Sequence, residues 1–148
     1  MVVDANLLLL LVVGTAGEKY ISKHKRLAEY TAADYKLLAQ TISCVDRIIV
    51  TPNTLTETSN LLGYIAEPDR SYLYEVFRLL IGTAEEKYYA SKQSSQRHEF
   101  PKLGLTDSAL LEAVSDDNPL LTVDLDLYLA ALANGGKAVN FNHMRLGL

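Results

Sequence analysis

Cysteine is almost absent from this 148-residue chain, which contains Cys44 alone. With one thiol the chain can form no internal disulfide, and a metal site built from thiolates is not expected. The three histidines, His24, His98 and His143, are not spaced as metal ligands are, which favours surface or packing roles for them. These shortages are typical of a protein from a reducing compartment, and they predict a cytoplasmic location.

Long apolar runs are also missing. Residues 7–13 form an apolar run, but a membrane-spanning helix takes roughly 20 apolar residues. Asp4 and Asn6 precede this run, where a signal peptide would carry basic residues. We therefore interpret the run as a buried helix, and expect neither a targeting segment nor a membrane span. With 49% apolar and 22% charged residues, the sequence predicts a single folded domain over residues 1–148.

Short apolar segments alternate with segments of helical spacing. The pattern predicts strands at residues 1–3, 47–50, 120–123 and 138–141. It predicts helices at residues 6–13, 32–45, 52–64, 69–81, 106–114 and 127–133, and either a helix or a polar, mobile segment at 84–93. Helices between short apolar strands indicate parallel pairing, so the expected fold class is α/β with a parallel sheet flanked by helices.

Several residues mark the predicted ends of the helices. Gly14 is expected to end the first helix, and Thr51 followed by Pro52 is a favourable start for another. Thr106 is expected to cap the helix that follows a polar loop at residues 94–105. Asn134-Gly135-Gly136 is a strong stop signal.

Acidic residues follow two of the predicted strands. In open α/β sheets the functional site lies beyond the carboxyl ends of the strands, where Asp4, Asp124 and Asp126 all fall. In extended backbone Asp124, Asp126 and the Thr122 hydroxyl would share a face. Helix capping is an alternative reading for Asp4 and for Asp126, but it does not explain Asp124.

Two further acids lie on predicted helices. Glu57 belongs to a polar stripe with Asn53, Asn60 and Tyr64, spaced by four, three and four residues. A solvated helix face is the alternative reading of that stripe. Asp107 lies at a predicted helix start, where the helix dipole alone favours an acid.

Four short segments resemble, in order and in separation, the motifs of the PIN domain family. They are Val-Asp-Ala-Asn-Leu-Leu at 3–8, Thr-Glu at 56–57, Leu-Thr-Asp-Ser at 105–108 and Leu-Thr-Val-Asp-Leu-Asp at 121–126. The resemblance covers essentially the whole chain, apart from the segment 14–31, which matches no signature. It implies a PIN-like three-layer sandwich with a short central parallel sheet.

The resemblance also implies a function, because many PIN domains are Mg²⁺- or Mn²⁺-dependent endoribonucleases, including VapC-type toxins. It assigns the catalytic quartet to Asp4, Glu57, Asp107 and Asp124. It assigns metal binding to Asp4, Asp107, Asp124 and Asp126, with polar support from Asn6 and Thr122. The implied partners are an RNA substrate and, for a toxin, a protein antitoxin; a homodimer is also compatible with it.

Two basic clusters are candidates for guiding an RNA backbone, with ordinary solvated side chains as the alternative. The first consists of Lys19, Lys23, Lys25 and Arg26, and the second of Lys92, Arg97 and Lys102. A PIN-like module that binds RNA or protein without cleaving is the competing function, although all four acidic positions are intact. A phosphoacceptor receiver domain fits less well, because Asp4 stands alone after the first strand.

Overall fold

In the computed structural model, which describes residues 1–147, five strands form one sheet with all pairings parallel. The strands are β1 (Val2–Val3), β2 (Ile49–Val50), β3 (Glu85–Glu86), β4 (Leu120–Thr122) and β5 (Ala138–Asn140), in the spatial order β3-β2-β1-β4-β5. The helices are α1 (Ala5–Ala16), α2 (Lys19–Lys23), α3 (Ala32–Ser43), α4 (Pro52–Leu62), α5 (Asp69–Thr83), α6 (Ser91–Ser94), α7 (Phe100–Ala113), α8 (Leu125–Ala133) and α9 (Phe141–Arg145), with a 3₁₀ turn at Lys25–Leu27. The predicted α/β class and parallel sheet are confirmed.

Alternate strand residues face opposite sides of the sheet, and each side has its own apolar core. One core contains Val3, Val50 and Leu121 together with the apolar residues of α1 and α5. The other contains Val2, Ile49 and Leu120 together with residues of α7 and α8. The sheet is therefore covered on both faces, as short parallel sheets require.

Helix α1 is buried on all sides. Residues 7–13 are at most 8% exposed, as expected for a buried apolar run. The prediction that Gly14 ends this helix is wrong, since α1 continues to Ala16. A Cβ at Gly14 would lie 2.1 Å from Cδ2 of Tyr35, so the glycine makes room for the aromatic ring of α3.

Two other parts of the prediction need correction. Residues 84–93 do not form one helix, because Glu85 and Glu86 form the edge strand β3 and the short helix α6 begins only at Ser91. The polar loop predicted at 94–105 is partly helical, since α7 begins at Phe100 and is interrupted at Gly104, whose φ is 83°. The helical segment that carries Asp107 therefore begins after a kink.

The other helix boundaries agree closely with the prediction. Thr51 caps α4 by accepting a hydrogen bond from the Thr54 N–H, and Pro52 occupies the first turn. Helix α8 ends at Ala133, immediately before Asn134. None of the helices within residues 1–147 combines the length and the apolar character needed to cross a bilayer.

Candidate metal centre and adjoining cleft

The order of the strands places two of the predicted acids between β1 and β4, where the direction in which strands are added to the sheet reverses. The chain adds β2 and β3 on one side of β1, then crosses over to add β4 and β5 on the other. In open α/β sheets, functional sites commonly lie at the carboxyl ends of the two strands that flank such a point. Asp4 directly follows β1, and Asp124 follows β4 after Val123, so both lie at this point.

Both carboxylate oxygens of Asp4 accept hydrogen bonds from neighbouring groups of the protein. Its Oδ1 accepts a hydrogen bond from the Leu7 N–H at 3.0 Å, which caps α1. Its Oδ2 accepts from the Val123 N–H at 3.0 Å and from the Thr122 hydroxyl. Burial raises the pKa of Asp4 to about 6 despite these hydrogen bonds. The carboxylate therefore joins β1 to β4, and Oδ1 keeps a lone pair free for another ligand.

The Thr122 hydroxyl links Asp4 to Asp124 through two hydrogen bonds. Its buried hydroxyl donates to Asp4 and accepts from the Asp124 N–H at 2.9 Å. Asn6 was predicted as a second polar support, and it is an exposed residue in the first turn of α1. The structure thus gives Thr122 a direct contact with Asp4.

Asp124 is the N-cap of α8, accepting a hydrogen bond from the Leu127 N–H at 3.0 Å. Capping therefore does explain Asp124, contrary to the expectation from the sequence. The shared-face argument for Asp124 and Asp126 is also wrong, because α8 begins at Leu125 and the backbone at Asp126 is helical. The helix rotates the two side chains apart by roughly 200° at 3.6 residues per turn.

Asp126 accordingly has different neighbours. Its carboxylate lies 3.4 Å from Nζ of Lys102, in an exposed ion pair. The two residues line a separate cleft beside α8, together with Glu99 and Leu129. Asp126 is not among the charges that act on Asp107, so its predicted role as a metal ligand gains no support from this geometry.

Asp107 lies in the most unfavourable electrostatic position of the predicted acids. Its pKa is raised to about 7, mainly by burial and then by the neighbouring carboxylates of Asp124, Glu57 and Asp4, in that order of size. No hydrogen bond contributes to the shift. The four acids of the predicted quartet therefore lie within one electrostatic neighbourhood.

Glu57 lies on the exposed polar stripe of α4. Asn53, Glu57 and Asn60 line one side of an open cleft of about 440 Å³, and Thr106 of α7 lines the other. Thr106 immediately precedes Asp107, so the cleft adjoins the acids. The stripe is thus the wall of a groove, which the solvated-face reading does not predict.

Among residues 1–147, no three His, Cys, Asp or Glu side chains are arranged so that they could hold one metal ion. The carboxylates nonetheless influence one another, since Asp107 responds to three of them. Their donors are all oxygens, which is the chemistry that Mg²⁺ and Mn²⁺ prefer.

The first basic cluster begins beyond the far end of α1, because that helix runs away from the sheet edge at Asp4. Lys19 and Lys23 lie over the Tyr20 ring, and Lys23 also pairs with Asp69 at 3.7 Å. Lys25 is exposed. Arg26 reaches the end of α4, which carries Glu57.

In the second basic cluster two cations are engaged by acids. Arg97 pairs with Glu99 at 3.1 Å and with Glu112 at 3.6 Å. Lys102 pairs with Asp126, as described above. These contacts favour a structural role for Arg97.

Comparisons with protein-family models, with curated proteins and with solved structures found no match to this chain. The sequence identifies the four acids but does not place Thr106 on the wall of the cleft, since its spacing predicts only a helix cap. The predicted helix and its polar stripe reach Tyr64, whereas α4 ends at Leu62, so Tyr64 lies outside the helix and outside the lining of the cleft.

Proposed function

We propose that this chain is a metal-dependent endoribonuclease of PIN-like architecture, hydrolysing RNA phosphodiester bonds with Mg²⁺ or Mn²⁺. The observation that carries the proposal is the electrostatic convergence on Asp107. Three other carboxylates and burial together raise its pKa to about 7. Acids held together against their own repulsion mark functional sites more often than structural ones.

The residues fit a divalent cation chemically. A cation would relieve the repulsion between Asp107, Asp124 and Asp4, which burial makes costly in its absence. Carboxylate oxygens are the donors that Mg²⁺ and Mn²⁺ take, and Mg²⁺ keeps several of its waters, so few protein ligands suffice. Asp4, Asp107 and Asp124 would hold the ion, in part through its own waters, because no three carboxylates of residues 1–147 are arranged to bind one ion directly.

The remaining residues of the site have separate tasks. Thr122 and the Val123 N–H fix one oxygen of Asp4, so that its orientation is set before any ligand arrives. Glu57, exposed on the cleft wall, would accept a proton from the attacking water or orient it. When bound, the cation supplies a Lewis acid that activates water and offsets the charge that develops on the phosphate. The asparagines beside Glu57 offer amide groups to the RNA sugar and phosphate.

The test is cleavage of a mixed-sequence RNA in Mg²⁺ or Mn²⁺, with and without EDTA, by the wild type and by Asp124→Asn. Asparagine caps helices as well as aspartate does, so this variant should keep α8 intact. Loss of a metal ligand is expected to lower the rate by at least about 100-fold. Asp4→Asn and Asp107→Asn should behave in the same way.

Asp117→Asn is the matched control. Asp117 is an exposed acid just before β4, at the opposite edge of the sheet from Asp124. Its variant should cleave at the wild-type rate. Equal RNA decay with wild type and Asp124→Asn would indicate a contaminating nuclease and refute the proposal. RNA binding without metal-dependent cleavage would favour the alternative, a non-catalytic RNA-binding module.

The resemblance extends to partners, and these are tested separately. For a VapC-type toxin we expect a small neighbouring gene that encodes an antitoxin with a DNA-binding segment. Co-expression of that product should suppress cleavage. A homodimer is tested by measuring the solution mass.

A further inference from the structure

An exposed aromatic side chain lies just beyond the end of α4, the helix whose polar face lines the cleft. Tyr64 is two residues beyond Leu62, the last residue of α4, and it is 46% exposed. The cleft itself is lined by Asn53, Glu57 and Asn60, and Tyr64 lies outside that lining. The Tyr64 ring is therefore open to a ligand outside the cleft.

A guanidinium group covers one face of this ring. The Cζ atom of Arg26 lies 4.3 Å from the centroid of Tyr64, a cation–π contact. Within residues 1–147, no ion pair occupies Arg26, whereas Lys23 of the same segment pairs with Asp69. The positive charge of Arg26 is thus available to a phosphate while its plane supports the tyrosine.

His24 holds the two side chains in register. Its buried ring accepts a hydrogen bond at Nδ1 from the Arg26 N–H, at 3.2 Å. With Nδ1 as the acceptor, Nε2 carries the proton and faces the Leu62 carbonyl oxygen at 3.4 Å. One imidazole therefore connects the turn that carries Arg26 to the end of α4, two residues before Tyr64. The Arg26–Tyr64 pair is therefore positioned before a ligand binds.

We propose that Tyr64 and Arg26 form a stacking site for an unpaired RNA base. The base stacks on the open side of Tyr64, and Arg26 neutralises the adjoining phosphate. A base can reach this site only when it is free of a duplex, so the protein selects single-stranded RNA. This inference rests on the proposed function for the identity of the ligand as RNA, but base stacking itself needs no cleavage.

The test measures binding rather than cleavage, so that the two proposals can fail independently. A fluorescently labelled, mixed-sequence single-stranded RNA is titrated by anisotropy in EDTA, and the same strand is titrated as a duplex. Loss of base stacking in Tyr64→Leu should weaken single-strand binding by about 5- to 100-fold, and Tyr64→Phe should retain it. Duplex binding should be weaker in the wild type and unaffected by either change.

A second readout detects stacking directly. An oligonucleotide that contains 2-aminopurine loses fluorescence when the base stacks, and Tyr64→Leu should abolish this quenching. Arg26→Lys should bind less tightly than the wild type, because lysine keeps the charge but loses the planar group. A purely structural role for Arg26 would leave the quenching unchanged.

Tyr72→Leu is the matched control. Tyr72 is 47% exposed, but it lies on α5 beside Tyr20 and the lysines of that surface, near the far end of α1. Unchanged binding in Tyr64→Leu, or an equal loss in both variants, overturns the stacking site even if the wild type cleaves RNA. Selective loss in Tyr64→Leu supports the site even if no cleavage is found, in which case the nuclease proposal alone fails.

Discussion

Asp4 and Asp107 belong to the same group of acids, yet their surroundings are opposite. At the junction of β1 and α1, both oxygens of Asp4 accept hydrogen bonds from backbone or hydroxyl donors. Beside the cleft between α4 and α7, Asp107 is subject to burial and to three neighbouring carboxylates, with no hydrogen bond contributing to its pKa shift. Burial raises the pKa of both acids, but hydrogen bonds oppose the shift at Asp4, whereas neighbouring carboxylates add to it at Asp107.

This difference separates acids that the fold needs from acids that the fold merely tolerates. Asp4 links two strands and caps a helix, so its presence is explained without any ligand. Asp107 is explained only if something outside the chain compensates its charge. Functional sites commonly reduce stability in this way, and the comparison therefore predicts opposite responses to mutation in the two regions.

The largest effect is expected in the buried part of α1, which follows the junction. Leu10 of α1 is fully buried, and Leu10→Ala should lower the free energy of unfolding by about 2–5 kcal/mol through lost burial and the resulting cavity. Thr56→Ala on the cleft wall is the matched truncation of an exposed helix residue, and it should change stability by less than about 0.5 kcal/mol. Urea unfolding measures both. Similar losses in the two variants would remove the distinction between the regions.

The next effect concerns Asp4. Asp4→Ala leaves the Leu7 and Val123 N–H groups without their acceptor, and it should cost about 2–4 kcal/mol. Asp4→Asn should cost less, because an amide oxygen can still cap α1. Thermal and urea unfolding of the metal-free proteins test this order. A stabilised Asp4→Ala would show that desolvation of the carboxylate outweighs its hydrogen bonds.

Asp107 should respond in the opposite direction. Its pKa in the folded protein, about 7, lies above the ordinary value of 3.8, so the stability linked to its protonation is complete below 3.8 and is lost as pH rises through 7. Asp107→Asn should therefore stabilise the metal-free protein at pH 8 by on the order of 1–3 kcal/mol, and by less at pH 5.

The comparison of variant with wild type at each pH reports the ionisation of Asp107 together with its coupling to the neighbouring carboxylates. His24, whose pKa burial lowers, affects both proteins equally and in the opposite sense at acid pH. Urea unfolding across pH 5–8 provides the measurement. A gain that does not depend on pH would contradict an ionisation effect and point to altered packing.

A smaller effect is expected from magnesium. If Asp107, Asp124 and Asp4 hold the ion, Mg²⁺ should raise the melting temperature of the wild type at pH 8 and should raise that of Asp107→Asn much less. At ~100 times its dissociation constant, a ligand adds ~2.7 kcal/mol, and weaker binding adds correspondingly less. Asp117→Asn should retain the full Mg²⁺ response. Equal responses in all three proteins would place any magnesium binding elsewhere.

Much of the fold could be predicted from the sequence where local chemistry and tertiary structure agree. Thr51 and Pro52 were recognisable because a capping hydroxyl and a proline at the first helical position are both local requirements. The buried run of α1 was recognisable because no other arrangement removes so many leucines from water. Strand β3 was missed, because Glu85 and Glu86 lie on a half-buried edge and have no apolar signature.

The errors at the site have a common physical origin, which is that spacing does not reveal where one element gives way to the next. The pair Asp124 and Asp126 was read as extended because the strand was expected to reach Val123, whereas it ends at Thr122 and α8 begins three residues later. Gly14 was read as a helix end, although its role depends on Tyr35, a residue of another helix. The electrostatic convergence on Asp107 arises from four separate elements, so no local pattern could show it.

The burial of α1 on every side has a consequence for how the protein is made. Its leucines, at residues 7–11, leave the ribosome before α3, α4 and α5, which all pack against α1. Strand β1 can pair with β2 earlier, but its second partner, β4, begins only at Leu120. At a synthesis rate of ~5–20 residues per second, the most hydrophobic segment of the chain stays exposed for several seconds in each round of synthesis. The helix at the centre of the finished fold is therefore the one that most needs a chaperone while the chain is growing.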